Sequence, residues 1–152
     1  MKLSTKGRYA LVSLVDIAKH QNQGLVSIAE VSRRQDISLA YLEQIFSKIR
    51  RNELVVSTRG HGGGYKLARD ASAISIEEIL LAVDENIDAL STGDGMEGGA
   101  CGSIEQVLSN KMWESLRAHV HLYLHRTTLA DVIDDLLSPC PAMPSLSEFE
   151  ET

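Results

Sequence analysis

The sequence is poor in cysteine, proline and aromatic residues: among 152 residues there are two Cys, three Pro, one Trp, four Tyr and two Phe. Two cysteines are too few for the disulfide framework of a small secreted protein. The low number of aromatic residues argues against RNA-binding modules that stack bases on Phe and Tyr side chains. Asp16 and Lys19 interrupt the apolar positions near the N-terminus, so neither a signal peptide nor a membrane span is predicted. These absences predict a protein of the reducing cytoplasm.

Charge is divided unevenly along the chain. Residues 1–70 contain 12 Lys and Arg against 6 Asp and Glu, whereas residues 71–152 contain 3 against 15. The first part therefore carries +6 and the second −12, within a net charge of −6. A basic part joined to an acidic part is typical of a chain in which one end docks on phosphates and the other does not.

The first third of the chain has the pattern of two short helices joined by a tight turn. Apolar periodicity predicts an amphipathic helix from Leu3 to Lys19. The capping box Ser27-Ile-Ala-Glu30 opens a short second helix to about Arg34, and Ser38 caps a third. We expect the third helix to bury Leu39, Leu42, Ile45, Phe46 and Ile49 and to expose Ala40, Tyr41, Glu43, Gln44, Ser47, Lys48 and Arg51.

A β-hairpin is predicted directly after the third helix. Residues 54–58 (LVVST) and 65–67 (YKL) are strand-like and flank the glycine-rich tip at 59–64 (RGHGGG). A helix-turn-helix followed by such a hairpin has the layout of a DNA-reading helix with a wing. The expected fold is mainly α with a small β-hairpin wing, that is, a winged helix-turn-helix domain plus a long dimerisation helix.

The acidic part is predicted to be helical on both sides of a glycine-rich loop. The capping boxes Ser75-x-x-Glu78 and Ser103-x-x-Gln106 open two helices. Apolar residues recur at four-residue spacing along the second of these, more than a small domain needs to cover itself, which favours a dimer interface. This stripe consists of Ile104, Leu108, Met112, Leu116, Val120 and Leu124. Thr128 caps a last helix that uses Leu129, Val132, Ile133, Leu136 and Leu137.

Four segments, in this order, resemble a known family: residues 1–10 (MKLSTKGRYA), 37–46 (ISLAYLEQIF), 59–65 (RGHGGGY) and 82–85 (AVDE). With them the chain resembles the iron–sulfur cluster regulators among the Rrf2-type winged helix-turn-helix transcription factors. The likeness runs essentially ungapped through residue 90 and resumes around Trp113. It implies a homodimeric transcription factor that represses or activates genes of iron–sulfur cluster assembly, with the third helix in the major groove and the wing in the minor groove.

The resemblance also implies which residues contact DNA, namely Ser38, Tyr41, Glu43, Gln44, Arg59, Gly60, Gly62 and Gly63. Gln44 can read adenine, and Glu43 can accept from cytosine while it repels phosphate. Arg59 suits a narrow, A·T-rich minor groove, which the glycines let the wing backbone approach. Taken singly, each would be an ordinary exposed side chain. The ordered set and the charge division favour double-stranded DNA with a pseudo-palindromic operator, bound by a two-fold dimer.

A [2Fe–2S] cluster is the cofactor that the resemblance implies. Family members hold it with three cysteines and one histidine in the loop before the long helix. Here Cys101 matches one ligand, whereas Val107 and Asn110 occupy two other ligand positions and Ser91 and Thr92 stand near the fourth. The usual four-ligand site therefore cannot form.

Three interpretations of Cys101 stay open. It holds a cluster with unusual ligands, the nearby oxygen donors being Asp94, Glu97 and Glu105. It bridges a cluster between the two Cys101 of a dimer. Or the protein has no cluster, and Cys101 is an ordinary or redox-sensitive thiol. A cysteine kept at a ligand position in a glycine-rich loop favours cluster binding.

Two further patterns point to other chemistry. His121 and His125 are four apart on the long helix, with His119 nearby, which is a metal-ligand spacing. Without a Glu or Cys at matching spacing, a solvated or dimer-contacting pair is expected. The string from His61 to Gly64 resembles an esterase oxyanion loop, but neither a Gly-x-Ser-x-Gly elbow nor a P-loop is present. We expect no enzyme, and the alternative to a DNA-binding regulator is a metal or cluster carrier that uses the fold as a scaffold.

The expected organisation has four parts. A winged helix-turn-helix domain occupies 1–84 and a sensor loop 85–102. The dimerisation helix and the C-terminal helix occupy 103–137. Residues 138–152 contain all three prolines and a run of acids, and are predicted to be a disordered acidic tail.

Overall fold

The computed structural model describes residues 4–86 and 103–137. These two ranges contain six α-helices and a two-stranded antiparallel sheet, with short 3-10 turns at Gln21–Gln23 and Ala71–Ala73. In chain order the elements are α1 (Thr5–His20), α2 (Ile28–Gln35), α3 (Leu39–Arg51), β1 (Val55–Thr58), β2 (Gly64–Leu67), α4 (Ile76–Ala82), α5 (Ile104–Arg126) and α6 (Leu129–Ile133). The fold expected from the sequence, mainly α with a small β-hairpin wing, is confirmed.

Reciprocal capping fixes where three of the helices begin. At α2 the Ser27 hydroxyl accepts from the Glu30 amide (3.2 Å), while the Glu30 carboxylate accepts from the Ser27 amide (2.8 Å). The same box closes at Ser75 before α4 and, with an aspartate in the glutamate's place, at Thr128 before α6. These boxes satisfy amides that a helix N-terminus otherwise leaves unpaired. At α5 only half of the predicted box forms: Ser103 accepts from the Gln106 amide at 3.3 Å.

The buried core lies between α1, α3, α4 and the hairpin, and Leu129 of α6 completes it. The large, fully buried side chains include Leu14, Ile17, Leu42, Phe46, Ile49, Leu54, Ile74 and Ile79. The predicted inner face of α3 is confirmed except for Leu39, whose side chain is 43% exposed. Leu39 is the first residue of α3 and lies at the edge of that face, beside an open cleft.

A buried carboxylate joins α1 to α2. Asp16 is 3% exposed, and its carboxylate accepts from Arg34 Nε (3.0 and 3.2 Å) and Nη2 (2.6 Å) and from Gln35 Nε2 (2.7 Å). Burial alone would raise the pKa of Asp16, but the hydrogen bonds from Arg34 and Gln35 bring that pKa below its usual value. The first helix of the helix-turn-helix is therefore fixed to α1 by a charged pair.

The segment after α4 returns to α1. Glu85 is buried, and its carboxylate accepts from the Ser4 amide at 2.9 Å and from the Ser4 hydroxyl. A Cβ on Gly7 would lie 2.9 Å from Leu80 Cδ2 and 3.0 Å from Glu85 Oε2, so these side chains would have to shift. A carboxylate at a helix N-terminus is favoured by the free amides and the helix dipole. Glu85 thus caps α1 from 81 positions further along the chain.

Most of the long helix α5 is exposed, and none of its 23 residues is fully buried. Val120 and Leu124 are half-buried against the core instead of facing outward, which corrects the predicted stripe. The reason is the helical period: four-residue spacing drifts by about 40° per step, so the stripe turns towards the body of the molecule. After Leu116 the exposed large apolar residues of α5 are instead Leu122 and Tyr123.

The last helix is shorter than predicted. It ends at Ile133, and Leu136 and Leu137 lie beyond it as exposed side chains. Asp135 has a φ of 54°, a left-handed conformation that stops the helix, and the Leu136 amide closes back onto the Asp131 carbonyl at 2.9 Å.

No helix within residues 4–86 and 103–137 is both long and apolar enough to cross a membrane.

Candidate nucleic-acid interface

The outer face of α3 is polar and exposed. Glu43 and Ser47 project from successive turns, and Gln44 lies beside Glu43. The half-buried Lys48 and the exposed Arg51 follow. Ser38 occupies the N-cap, but its hydroxyl forms no capping hydrogen bond within the described residues, which corrects one detail of the prediction. The residue three positions on is Tyr41, so α3 has no Glu or Gln to complete a box.

Tyr41 is the one predicted α3 contact that turns partly inward. It is half-buried, and its ring meets that of Tyr9 edge-on at 5.7 Å between centroids. With Lys6 and Gln44 it borders a small cavity of about 50 Å³ between α1 and α3. The ring of Tyr41 therefore contributes to the contact between α3 and α1.

Tyr65 fixes the wing to the helix-turn-helix. Its amide donates to the Val26 carbonyl at 2.7 Å, and the Val26 amide donates to the Tyr65 carbonyl at 3.0 Å. Its ring packs on Phe46 of α3 at 5.0 Å between centroids. A Cβ on the neighbouring Gly64 would come within 2.7 Å of the Val26 carbonyl oxygen, so only glycine allows this approach. The distance between α3 and the wing is thus set by the core.

The wing tip requires glycine. Gly60 and Gly62 have φ values of 108° and 76°, which side chains rarely adopt, and the Gly63 amide donates to the Gly60 carbonyl at 3.0 Å. Arg59 stands exposed at this tip. A cleft of about 380 Å³ separates the wing from α3, with Leu39, Glu43 and Arg59 among its lining residues. The structure thus brings Glu43 and Arg59 to one cleft, while Gln44 lies on the other flank of α3 with Lys48.

One ion pair links this face to the end of the domain, and the sequence alone gave no sign of it. Lys48 Nζ lies 2.6 Å from Asp84 Oδ2, and Lys6 Nζ donates to the Asp84 carbonyl at 3.2 Å. The hydrogen bond from Lys48, together with its charge, holds the pKa of Asp84 below its usual value. Asp84 and Glu85 therefore connect α3 and the start of α1 to the segment that follows α4.

The two histidines contact an acidic residue that the prediction of a solvated or dimer-contacting pair did not include, although the His125 side chain is 72% exposed. His121 Nδ1 lies 3.1 Å from Glu77 Oε1, and His125 Nδ1 lies 2.8 Å from Glu77 Oε2. The acidic partner comes from α4, 44 positions before His121, so spacing within α5 could not reveal it. Hydrogen bonding from His121, against the effect of burial, holds the pKa of Glu77 below its usual value. These contacts attach α5 to α4.

The residues at the family's cluster-ligand positions do not supply the expected donors. Val107 is an exposed apolar residue and Asn110 a half-buried amide on the first turns of α5. Cys101, Asp94 and Glu97 lie outside the described residues. Within 4–86 and 103–137, no group of three or more His, Cys, Asp or Glu side chains is arranged to hold a metal ion. The described residues thus do not fit the four-ligand cluster of the family.

Comparisons with known proteins identify the family. Residues 3–135 match the Rrf2 family, described as an iron-dependent transcriptional regulator. The HTH-type transcriptional regulator IscR of Cereibacter sphaeroides is 58% identical over 148 residues, which cover 96% of each chain. The solved structure of T. potens IscR is 30% identical and has a TM-score of 0.69 over 98% of this chain and 96% of that one.

A second solved structure supports the same assignment. CymR (YrzC), the global cysteine regulator of B. subtilis, is 30% identical and has a TM-score of 0.73, covering 89% of this chain and 98% of its own. The IscR of Cereibacter sphaeroides and CymR are both named as regulators, in agreement with the expectation that the chain is not an enzyme. The chain belongs to the Rrf2 family and is a DNA-binding transcriptional regulator of the IscR type.

Proposed function

We propose that the protein acts as a homodimer on a pseudo-palindromic DNA operator, with α3 in the major groove and the wing in the adjacent minor groove. The observation that carries this proposal is the fixed placement of the wing beside α3 through Tyr65. A polar helix face and a cationic glycine tip held at one spacing suit two adjacent grooves of duplex DNA. We also propose that the protein acts in the cytoplasm on double-stranded DNA.

We propose specific roles for the predicted contact residues. Gln44 and Glu43 read base edges, with Glu43 also excluding sites that would bring a phosphate close. Ser38 and Tyr41 bind at the start of α3, where a recognition helix meets the bases. Arg59 enters the minor groove, and the backbone at Gly60, Gly62 and Gly63 approaches the phosphates.

The second copy of the chain is proposed to cover the apolar face of α5, defined by Ile104, Leu108, Met112, Leu116, Leu122 and Tyr123. All six side chains are exposed. They follow one side of a helix of 23 residues, about 35 Å long, and Leu136 and Leu137 border its C-terminal end. An apolar surface of this extent is typical of an association site. In a two-fold dimer the two α5 helices pair and present two α3 helices to symmetric half-sites.

The four-part organisation accompanies this proposal: a DNA-binding domain at 1–84, a sensor loop at 85–102, the dimerisation and C-terminal helices at 103–137, and an acidic tail at 138–152. The target genes are proposed to be those of iron–sulfur cluster assembly or iron response. The 58% identity to an IscR and the family's description as iron-dependent support this assignment.

The visible absorbance spectrum of the protein tests whether Cys101 is a cluster ligand. If Cys101 holds or bridges a cluster, anaerobically purified protein will show visible absorbance bands that the variant Cys101→Ala lacks. The variant Cys140→Ala is the matched control, because its cysteine does not stand at a ligand position, and it should keep the bands. Protein without such bands after anaerobic reconstitution with iron and sulfide would leave Cys101 as a thiol and remove cluster sensing from the proposal.

The wing contact is tested by Arg59→Ala in a mobility-shift assay. We expect the variant to lose about 1–3 kcal/mol of binding free energy on its operator and to show a weaker preference for A·T pairs beside the α3 contacts. Arg33→Ala, which removes an exposed cation from α2, serves as the control for net charge. Equal binding of wild type and Arg59→Ala to operator and random duplexes alike would contradict sequence-specific recognition.

A further inference from the structure

We propose that Leu39 is a specificity-determining residue that contacts the 5-methyl group of a thymine in the major groove. The inference rests on the proposed docking of α3 and adds one base preference to it. It follows from the exposure of Leu39: apolar periodicity assigns this residue to the buried face of α3, yet in the structure it is 43% exposed.

The position of Leu39 suits such a contact. It is the first residue of α3, and the N-terminal residues of a recognition helix are those that meet base edges. One turn further on stands Glu43, and both side chains line the cleft that ends at Arg59 of the wing. A DNA strand that passes from the recognition helix to the wing would cross this cleft.

The chemistry of the major groove then defines the ligand. The base edges in this groove present hydrogen-bond donors and acceptors, with which a leucine side chain cannot form hydrogen bonds. The thymine methyl is the one apolar substituent among them, and contact with it is an established form of base readout. Burial of the Leu39 side chain against this methyl would remove apolar surface from water on both partners.

The experiment deletes the methyl without changing any hydrogen-bonding group. Duplexes selected by the wild-type protein from a random pool are resynthesised with each thymine replaced singly by uracil, and affinities are measured for wild type and Leu39→Ala. We expect one thymine per half-site at which uracil weakens wild-type binding about threefold to tenfold. Leu39→Ala should bind the thymine duplex more weakly by a similar factor and should not distinguish uracil from thymine at that position.

Leu81→Ala is the matched control. Leu81 is also an exposed leucine, 56% exposed, but it lies on α4 away from the cleft, so its variant should keep the full thymine preference. Thermal unfolding of all three proteins verifies that each is folded under the conditions of binding.

Two outcomes distinguish a failure of the Leu39 inference from a failure of the proposed operator binding. If wild type selects a sequence but uracil weakens wild type and Leu39→Ala equally at every position, Leu39 does not read a methyl group and the inference is wrong. If wild type selects no sequence at all, the proposed operator binding fails first.

Discussion

Leu116→Asp is expected to yield a monomer that no longer selects its operator. In the proposed two-fold interface each substitution occurs twice, so two carboxylates would lie unpaired within the apolar face of α5. A monomer has one α3 helix and one wing, and loses the contribution of the second half-site. We expect at least a hundredfold weaker operator binding, a loss of about 3 kcal/mol or more. Sedimentation equilibrium and mobility shift measure the two effects.

Arg117→Gln is the control for this experiment. Arg117 is exposed on α5 and lies about 100° around the helix from Leu116, further from every other member of the apolar face. It changes the net charge by the same −1 on the same element and should leave dimer and operator affinity unchanged. A Leu116→Asp protein that sediments as a dimer and retains operator selectivity would show that another surface joins the two copies.

Arg34→Met is expected to reduce the free energy of unfolding at neutral pH by about 3 kcal/mol, as measured by urea denaturation. The substitution leaves the Asp16 carboxylate buried, with Gln35 as its remaining neutral donor and His20 3.6 Å away. Removing one partner of a buried pair costs about 3–5 kcal/mol. We place the loss at the lower end because the Arg34 side chain is itself 29% exposed. Asp16→Asn in the same background should recover part of the loss.

The pH dependence of this pair has a definite sign. The folded-state pKa of Asp16 lies below its unfolded value. The pair therefore stabilises the fold above the unfolded pKa, about 4, and this contribution disappears as pH falls through the folded pKa. The stability difference between wild type and Arg34→Met should narrow as the pH is lowered below about 4. The matched control is Arg33→Met, at an exposed neighbouring position, where we expect a change within about 0.5 kcal/mol. A difference independent of pH would mean that Arg34 acts by packing alone.

The sequence predicted those parts of the fold that local chemistry determines. The boxes at Ser27 and Ser75 locate helix starts because both partners of the reciprocal bond lie within four residues. The hairpin follows from two short apolar runs around glycines, since positive φ angles such as that of Gly60 are almost confined to glycine. In such elements the residues that determine the structure are neighbours in sequence.

Contacts between distant elements could not be predicted in the same way. His121 and His125 contact Glu77, a residue of another helix. Lys48 pairs with Asp84, which lies 36 positions further along the chain. Leu39 was misassigned because periodicity shows which side of a helix is apolar but not how far a neighbouring element covers it. Single-sequence patterns carry no information about these tertiary neighbours.

The attachment of the wing has a thermodynamic consequence. Two backbone hydrogen bonds to Val26, a third from the Leu67 amide to the Gln21 side chain (2.9 Å) and the packing of Tyr65 on Phe46 already hold the hairpin in the free protein. A loop that had to become ordered on the duplex would lose conformational entropy at that moment, and the complex would be weaker by that amount. Here the ordering takes place during folding, so in the proposed complex with DNA little more than the exposed side chains at the tip would have to be immobilised.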